Sequence, residues 1–291
     1  MNFKGVYTAL VTPFNHNGSV DYGCLRELVK LQIENGVDGI VPVGTTGESP
    51  TLSMDEHIKV IESTIAAGGG KLQIIAGTGA NSTAEAVELT KAAKSIGADA
   101  TLQVTPYYNK PSQEGLYRHF MTVADQAALP VVLYNVPGRS GAEIAIDTVE
   151  RLAGHDKIVA VKEAAGSVER VSAILDVCDI TVLSGDDSLT LPMMSVGATG
   201  VISVASNIIP REMKLMVDYF ACGDSVKAAA YHAKYYKLFK TLFVETNPVP
   251  VKAALAMAGL IDEFYRLPLC VLSDANREVL KSVLVESGVI D

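Results

Sequence analysis

The chain has little positive charge, few charged residues and no long apolar run. It carries 24 basic and 33 acidic side chains in 291 residues, which gives a formal net charge of −9. A chain with this charge lacks the broad positive field that attracts nucleic acid or an anionic membrane surface. Apolar residues make up 48% and charged residues only 20%, which excludes a disordered protein. We therefore expect a folded protein that binds neither nucleic acid nor membranes.

The sequence also lacks the signals of membrane insertion and export. No apolar run approaches the roughly 18 residues that a membrane-spanning helix requires. The first residues do not combine a charged segment with a long apolar core, as a signal peptide would. The four cysteines are scattered without a CxxC pair, which is typical of thiols in a reducing compartment: Cys24, Cys178, Cys222 and Cys270. These features predict a cytoplasmic protein.

Histidines are few and dispersed. None of the five forms an HxxxH or HxH pair, the spacing that a metal site on a single element needs: His16, His57, His119, His155 and His232. We expect chemistry that needs neither a metal ion nor another cofactor.

Short apolar runs alternate with amphipathic stretches through most of the chain. The runs predict strands over 5–10, 39–43, 73–77, 100–104, 131–134, 158–161, 181–183 and 200–204. The stretches predict helices over 22–35, 54–67, 83–96, 114–127, 146–152, 168–177, 189–196 and 211–221. Two helix starts, Ser53-x-x-Glu56 and Ser82-x-x-Glu85, match the capping box.

Eight strand–helix units in succession predict an α/β fold, the closed (β/α)8 or TIM barrel, which takes about 250 residues. A doubly wound parallel sheet is the alternative, but the GxGxxG turn usual after its first strand is missing. Predicted helices over 225–244, 249–258 and 273–286 then follow with no strand between them. We therefore expect a barrel domain over 1–224 and an all-helical C-terminal extension over 225–291.

The catalytic group that this fold predicts is Lys162. Active sites of such barrels lie at the carboxyl ends of the strands, and Lys162 follows the apolar run 158–161, with Ile158 and Ala160 expected on its face. A lysine withdrawn from water exposes the lone pair that attacks a carbonyl carbon. The alternative is a strand-end lysine that reaches solvent.

Other strand ends offer partners for such an amine. Tyr134 suits a proton shuttle, or packing alone. The turn over 44–48, Gly-Thr-Thr-Gly-Glu, has the small residues and free backbone N–H groups that hold a carboxylate, or it is only a tight turn. Arg139 suits a second carboxylate, or it is an ordinary solvated arginine.

The strand over 181–183 points to the class of substrate. Many barrels bind phosphate at the last two loops, but here the strand leads into Gly185-Asp186-Asp187. Two carboxylates would repel a phosphate, so we expect an unphosphorylated carboxylic or keto acid.

Seven motifs, in order along the chain, resemble the dihydrodipicolinate synthase family of pyruvate-dependent Schiff-base aldolases. They are GTTGES at 44–49, TPYYN at 105–109, YNVPGRSG at 134–141, VKEA at 161–164, SGDD at 184–187, GVISV at 200–204 and NPVPVK at 247–252. N-acetylneuraminate lyases and other sugar-acid aldolases carry the same lysine and tyrosine. They generally lack an arginine where Arg139 stands, so they are the second candidate. A barrel reused for binding alone would have a degraded site, and none of these positions is altered.

The resemblance implies a reaction and its catalytic residues. Lys162 would form an imine with pyruvate, whose methyl carbon would then attack L-aspartate-4-semialdehyde. Tyr134 would transfer protons in a relay with Thr45 and with Tyr108 of a neighbouring subunit. Ring closure would give 4-hydroxy-tetrahydrodipicolinate, in the first committed step toward diaminopimelate and lysine. The binding residues implied are Thr46 and the backbone at Ile202 for pyruvate, and Arg139 for the carboxylate of the second substrate.

The resemblance also implies assembly and feedback control. The family is usually a homotetramer, a dimer of tight dimers. In feedback-inhibited relatives lysine binds at a subunit interface, through positions that are here Ser49, Pro50, His57, Asn81, Glu85 and Tyr107. Met54 replaces a histidine of well-studied inhibited relatives and removes a polar contact, so we expect weak inhibition by L-lysine. The capping box begun by Ser82 would by itself explain Glu85.

Overall fold

The computed structural model describes residues 3–291, and within them eight parallel strands close into a barrel. Neighbours in sequence pair along the sheet, and the first strand closes it by pairing with the last. The strands are β1 Gly5–Ala9, β2 Gly39–Val41, β3 Gln73–Gly77, β4 Ala100–Val104, β5 Val131–Asn135, β6 Ile158–Glu163, β7 Thr181–Ser184 and β8 Gly200–Ser203. The predicted barrel is confirmed.

Helices follow the strands and then continue beyond the barrel. They are α1 Tyr22–Glu34, α2 Met54–Gly68, α3 Thr83–Ser95, α4 Gln113–Ala127, α5 Pro137–Ser140, α6 Ile146–Ala153, α7 Val168–Val177, α8 Thr190–Ser195, α9 Pro210–Ala221, α10 Ser225–Thr241, α11 Val249–Met257 and α12 Asp274–Glu286. Short 3₁₀ turns lie at Ser49–Thr51, Asp187–Leu189 and Ala205–Asn207. None of these helices is long and apolar enough to cross a membrane.

Buried apolar side chains form two clusters. One cluster, with large residues such as Tyr7, Leu183 and Ile202, fills the interior of the barrel, and a larger one packs between the strands and the surrounding helices. Ala160 faces inward, but Ile158 packs in the outer cluster. The pairing of β5 with β6 shifts between Val131 and Val132, so alternation does not extend back to Ile158. The expectation that both residues share the face of Lys162 was wrong for Ile158.

Only one of the two expected capping boxes forms. Ser53 Oγ accepts from the Glu56 backbone N–H at 3.3 Å, and the Glu56 carboxylate accepts from the Ser53 N–H at 3.0 Å. The side chain of Ser82 accepts no bond from the first turn of α3 among the described residues, so the second box was wrongly predicted. Glu85 instead faces a surface cleft.

Arg266 fastens the C-terminal helices to the barrel. Its guanidinium donates to both carboxylate oxygens of Glu56, at 2.6 and 2.7 Å, and to the carbonyls of Gly18 and Thr51. These bonds hold the pKa of Glu56 down, at about 2.

The division of the chain into a barrel domain and a C-terminal extension at residue 224 stays a prediction.

Candidate active site

Lys162 stands at the carboxyl end of β6 and faces a cavity. Its register partner on β5 is Tyr134, and its amine lies 4.1 Å from the centre of the Tyr134 ring. Only 6% of the residue is exposed. The cavity measures about 250 Å³ and is called the lysine cavity here; its walls are Thr45, Thr46, Tyr134, Val136, Arg139, Lys162, Ala164, Gly185, Asp186, Ser188, Val204, Phe239, Lys240, Phe243 and Asn247.

Among residues 3–291, the amine of Lys162 has no carboxylate within 4.0 Å. The adjacent Glu163 is fully buried and accepts bonds from Asn135 Nδ2 at 3.0 Å, from the Ala165 N–H at 2.8 Å and from Arg170 Nε at 3.2 Å. The nearest acid in sequence is therefore committed to other donors, and the amine is open to a ligand.

Gly185 leaves the space that the lysine side chain occupies. A Cβ at this position would lie 3.0 Å from Lys162 Cε and 2.6 Å from Ala164 Cβ. Both distances are below normal van der Waals contact, so any larger residue would push the lysine or the strand aside.

A second cavity of about 200 Å³ adjoins the first along the turn over 44–48 and is called the turn cavity here. The two share Thr45, Tyr134, Val136 and Arg139, and the remaining walls of the turn cavity are Val43, Gly44, Ser49, Pro50, Gly77, Gly79, Leu102, Val104, Tyr107 and Ser140. Hydrogen bonds across the turn join the Gly47 N–H to the Gly44 carbonyl and the Glu48 N–H to the Thr45 carbonyl, each at 3.1 Å. Within the described chain no acceptor pairs with the backbone N–H groups of Thr45 and Thr46.

Backbone strain brackets this turn. Val43 and Glu48, at its two ends, are buried and both have a φ of 55°. The left-handed region costs a residue other than glycine about 1–3 kcal/mol, and surrounding contacts must impose it. Val43 in this conformation also ends β2 at Val41, two residues short of the predicted strand. The turn is thus held in one shape against its local preference.

Arg139 and residues from 239 to 247 of the C-terminal part of the chain line one side of the lysine cavity. Arg139 lies on α5, and its Nη2 donates to the Asn247 carbonyl at 3.1 Å. Asn247 Nδ2 in turn donates to Thr46 Oγ1 at 3.0 Å. The sequence predicted no role for Asn247, for Phe239 and Lys240 of α10, or for Phe243 just after that helix, all of which line the lysine cavity. The NPVPVK motif was the one available signal for Asn247, whereas nothing in the spacing marks the other three.

Two of the predicted catalytic and substrate-binding residues, Tyr108 and Ile202, do not line the lysine cavity. Tyr108 is 91% exposed, has a φ of 73° and borders neither cavity of its own chain, whereas Tyr107 lines the turn cavity. Ile202 is buried inside the barrel, and Val204, two residues later, forms the cavity wall.

The two acids after β7 have different surroundings. Asp186 lines the lysine cavity, but Asp187 is buried and accepts from Ser203 Oγ at 2.5 Å and from the N–H groups of Val204 and Ala205 at 3.1 and 2.9 Å. Burial raises the pKa of Asp187 to about 6. The expectation that both carboxylates face a substrate was wrong for Asp187, whose bonds hold the loop after β8.

A surface cleft of about 240 Å³ adjoins the turn cavity. Its walls are Ser49, Pro50, Leu52, Met54, His57, Gly79, Ala80, Glu85, Leu89 and Tyr107. Five of the six residues that the resemblance implied for lysine binding are among them. Asn81 is not, although its Nδ2 donates to the Tyr107 carbonyl at 3.1 Å. His57 Nε2 lies 2.7 Å from the Gly77 carbonyl, and burial lowers the pKa of His57.

Over residues 3–291, no group of three or more histidine, cysteine, aspartate or glutamate side chains is arranged to hold a metal ion. The cavities bring together an amine, a phenol, hydroxyls, backbone N–H groups and a guanidinium. This set suits covalent chemistry on a small keto acid.

Comparison with known proteins adds independent findings. The model of the dihydrodipicolinate synthetase family matches residues 2–287. The 4-hydroxy-tetrahydrodipicolinate synthase of Pelobacter propionicus is 54% identical over 99% of this chain and 100% of its own length. The solved dihydrodipicolinate synthase of Acinetobacter baumannii, complexed with pyruvate, is 48% identical with a TM-score of 0.97, covering 99% of this chain and 100% of that one. The enzyme of Cyanidioschyzon merolae, solved with lysine bound, is 43% identical with a TM-score of 0.96, covering 99% of each chain.

The close contact at Gly185 makes a testable prediction. Gly185→Ala should displace Lys162 and change the rate of its labelling by an amine reagent such as trinitrobenzenesulfonate, about tenfold or more, because the displaced amine has a different exposure and different surroundings. Peptide mapping by mass spectrometry measures the rate at Lys162 alone. Gly68→Ala is the control, because the added Cβ meets only Ile74 at 3.7 Å. Equal labelling rates in the two variants would contradict the prediction.

Proposed function

The chain belongs to the dihydrodipicolinate synthetase family, and we propose that it condenses pyruvate with L-aspartate-4-semialdehyde through a Schiff base on Lys162. It is a lyase of the Schiff-base aldolase type. Its product is 4-hydroxy-tetrahydrodipicolinate, formed in the first committed step toward diaminopimelate and lysine. The observation that carries the proposal is the buried Lys162 amine, which faces a cavity and has no carboxylate within 4.0 Å among residues 3–291.

The Lys162 amine activates the methyl group of pyruvate, which is otherwise unreactive. Attack on the carbonyl carbon of pyruvate gives a carbinolamine, and loss of water gives the imine. The protonated imine draws electrons from the adjacent methyl group, which loses a proton to form an enamine. The enamine carbon then bonds to the aldehyde carbon of the second substrate. The amino group of that substrate attacks the imine carbon, closes the ring and releases Lys162 as a free amine.

Tyr134 is the proposed proton carrier for these steps. Each step needs a proton delivered to an oxygen or removed from a carbon or nitrogen, and a phenol beside the amine can do both. The Tyr134 ring is held 4.1 Å from the amine, and its backbone carbonyl is fixed by the Thr105 N–H at 3.0 Å and hydroxyl at 2.9 Å. Thr45, on the wall of both cavities, is the proposed next member of the relay.

The two carboxylates of the substrates have two separate sites in this proposal. The backbone N–H groups of Thr45 and Thr46 and the Thr46 hydroxyl would hold the pyruvate carboxylate. Arg139, which borders both cavities, would hold the carboxylate of the semialdehyde. A sugar-acid aldolase binds a polyol aldehyde at this place, and a guanidinium favours an anion over a polyol. Arg139 therefore supports the synthase.

We propose that the enzyme is a homotetramer, a dimer of tight dimers, and that Tyr108 completes the relay of the neighbouring subunit. A 91% exposed tyrosine with a left-handed backbone is costly for an isolated chain, which supports a role against a partner. A cytoplasmic location fits the four cysteines, which are free thiols.

L-lysine is the proposed inhibitor, bound in the surface cleft. Glu85 makes no capping box, so its carboxylate is free to meet an ammonium group. The cleft and the turn cavity share Ser49, Pro50, Gly79 and Tyr107, so an occupant of the cleft touches the walls of the catalytic site. The polar contact removed by Met54 makes the inhibition weak.

Trapping of the imine tests the proposed function. Pyruvate followed by borohydride should add one reduced pyruvate to the peptide that contains Lys162, with loss of turnover, because reduction makes the imine permanent. Lys162→Arg should give no adduct and lower kcat by at least about a thousandfold. Lys157→Arg, at an exposed lysine just before β6, is the matched control and should behave as the unmodified protein. An unmodified Lys162 peptide from active protein would refute the imine.

A mixed-subunit experiment tests the role of Tyr108. Tyr108→Phe and Lys162→Met should each be nearly inactive alone. Coexpressed with different affinity tags, the two variants should recover up to about a quarter of the normal activity. Half of randomly paired dimers are mixed, and in each mixed dimer one of the two sites has both Lys162 and the Tyr108 hydroxyl. Mixing Lys162→Met with Lys162→Ala is the control. If Tyr108 acts within its own chain, no mixture recovers activity.

Inhibition by L-lysine tests the cleft. Millimolar L-lysine should lower the initial rate, and Glu85→Gln should raise the half-inhibitory concentration about tenfold, the loss expected for a charge-assisted bond. Glu88→Gln, on the same helix but outside the cleft, should leave it unchanged. Unchanged rates of the unmodified enzyme at millimolar lysine would reject this site.

A further inference from the structure

A fully buried ion pair lies directly behind the turn that carries Thr45 and Thr46. Lys252 Nζ, from α11, is 2.5 Å from Glu48 Oε1, and neither side chain is exposed to solvent. Glu48 is the last residue of the turn. The pair therefore joins the C-terminal extension to the catalytic wall of the barrel.

Aromatic rings enclose the amine of this pair. Lys252 Nζ lies 4.4 Å from the centre of the Phe14 ring and 5.3 Å from that of Tyr265. The Tyr265 hydroxyl is fixed by the Val249 carbonyl at 3.0 Å. Burial lowers the pKa of Lys252, while the Glu48 carboxylate opposes that change. Glu48 Oε2 has no hydrogen-bond partner in the described part of the chain. Burying these two charges therefore costs free energy, and the strongest contact of each charged group is with the other.

The pair acts on the backbone that carries the two threonines. The Glu48 N–H donates to the Thr45 carbonyl at 3.1 Å, and the Glu48 carbonyl accepts from the Thr51 N–H at 3.0 Å and hydroxyl at 3.1 Å. Asn247, five residues before Lys252, bonds the Thr46 hydroxyl. The C-terminal extension therefore contacts the turn at two points, with Lys252 on Glu48 and Asn247 on Thr46.

Stability alone does not explain such a pair. Desolvating two charges offsets much of their attraction, and apolar residues of similar volume often replace buried pairs without loss of stability. What a buried pair can enforce is a single conformation. Glu48 is in the left-handed region, a conformation that needs an external contact to hold it.

We propose that the Lys252–Glu48 pair positions the turn over 44–48 for binding the carboxylate of the keto acid. Lys252 and Glu48 are positioning residues, because neither borders the lysine cavity. The inference rests on the proposed function and assigns to the C-terminal extension a part in substrate binding.

The double variant Glu48→Met/Lys252→Met tests the proposal, because two unbranched apolar residues of similar size replace the pair. Its midpoint of thermal unfolding should equal or exceed that of the unmodified protein. The pyruvate concentration that gives half-maximal borohydride trapping should rise about tenfold or more, because the turn over 44–48 would no longer hold its carboxylate-binding groups in place. Trapping at saturating pyruvate should still label Lys162. Lys237→Met/Glu286→Met, which removes an exposed pair between α10 and α12, should change neither quantity.

Each outcome decides the proposal. A folded double variant with an unchanged half-saturating concentration would overturn it, because the pair would then be structural only. If the double variant does not fold, Lys252→Arg decides, since it keeps the charge but changes the shape of the head group between the two rings. If Lys252→Arg raises the half-saturating pyruvate concentration at normal stability, the pair positions the turn; an unchanged concentration overturns the proposal. No adduct in the unmodified protein would overturn the proposed function itself, and this inference with it.

Discussion

A lysine amine held in a cavity without a carboxylate beside it is the constraint that the other features of the site serve. An ion pair would occupy the Lys162 amine, and the adjacent Glu163 instead accepts hydrogen bonds from Asn135 and Arg170. Gly185 leaves room for the side chain, and the Tyr134 ring lies against the amine. The barrel places both groups at the same level because β5 and β6 pair Tyr134 with Lys162.

The turn over 44–48 is the second part of this arrangement, and it is not stable by its own preferences. Two non-glycine residues in the left-handed region bracket it, and contacts from distant elements hold it: Thr12 Oγ1 on the Gly47 carbonyl at 2.7 Å, Asn247 on Thr46 and Lys252 on Glu48. Strain of this kind persists only where surrounding structure imposes it, and it is concentrated at functional sites. The C-terminal helices thus belong to the site as well as to the fold.

The barrel and its strand-end residues were predictable because they follow from local patterns. Apolar runs and amphipathic stretches indicate eight units, and strand ends at one rim place Lys162, Tyr134 and Thr45 together. The contacts that failed depend on partners far away in sequence or on backbone irregularity. Ile158 was misplaced by a register shift, and Asp187 is drawn away from the cavity by the N–H groups after β8. Likewise, α10 reaches the cavity only through tertiary packing, which no spacing encodes.

A crystal structure of the protein soaked with pyruvate tests the central claim most directly. We expect continuous density from Lys162 Nζ to the second carbon of pyruvate, with the carboxylate within hydrogen-bond distance of the Thr45 and Thr46 N–H groups. Pyruvate bound elsewhere, or an unmodified Lys162 beside a bound pyruvate in protein shown to be active, would contradict it.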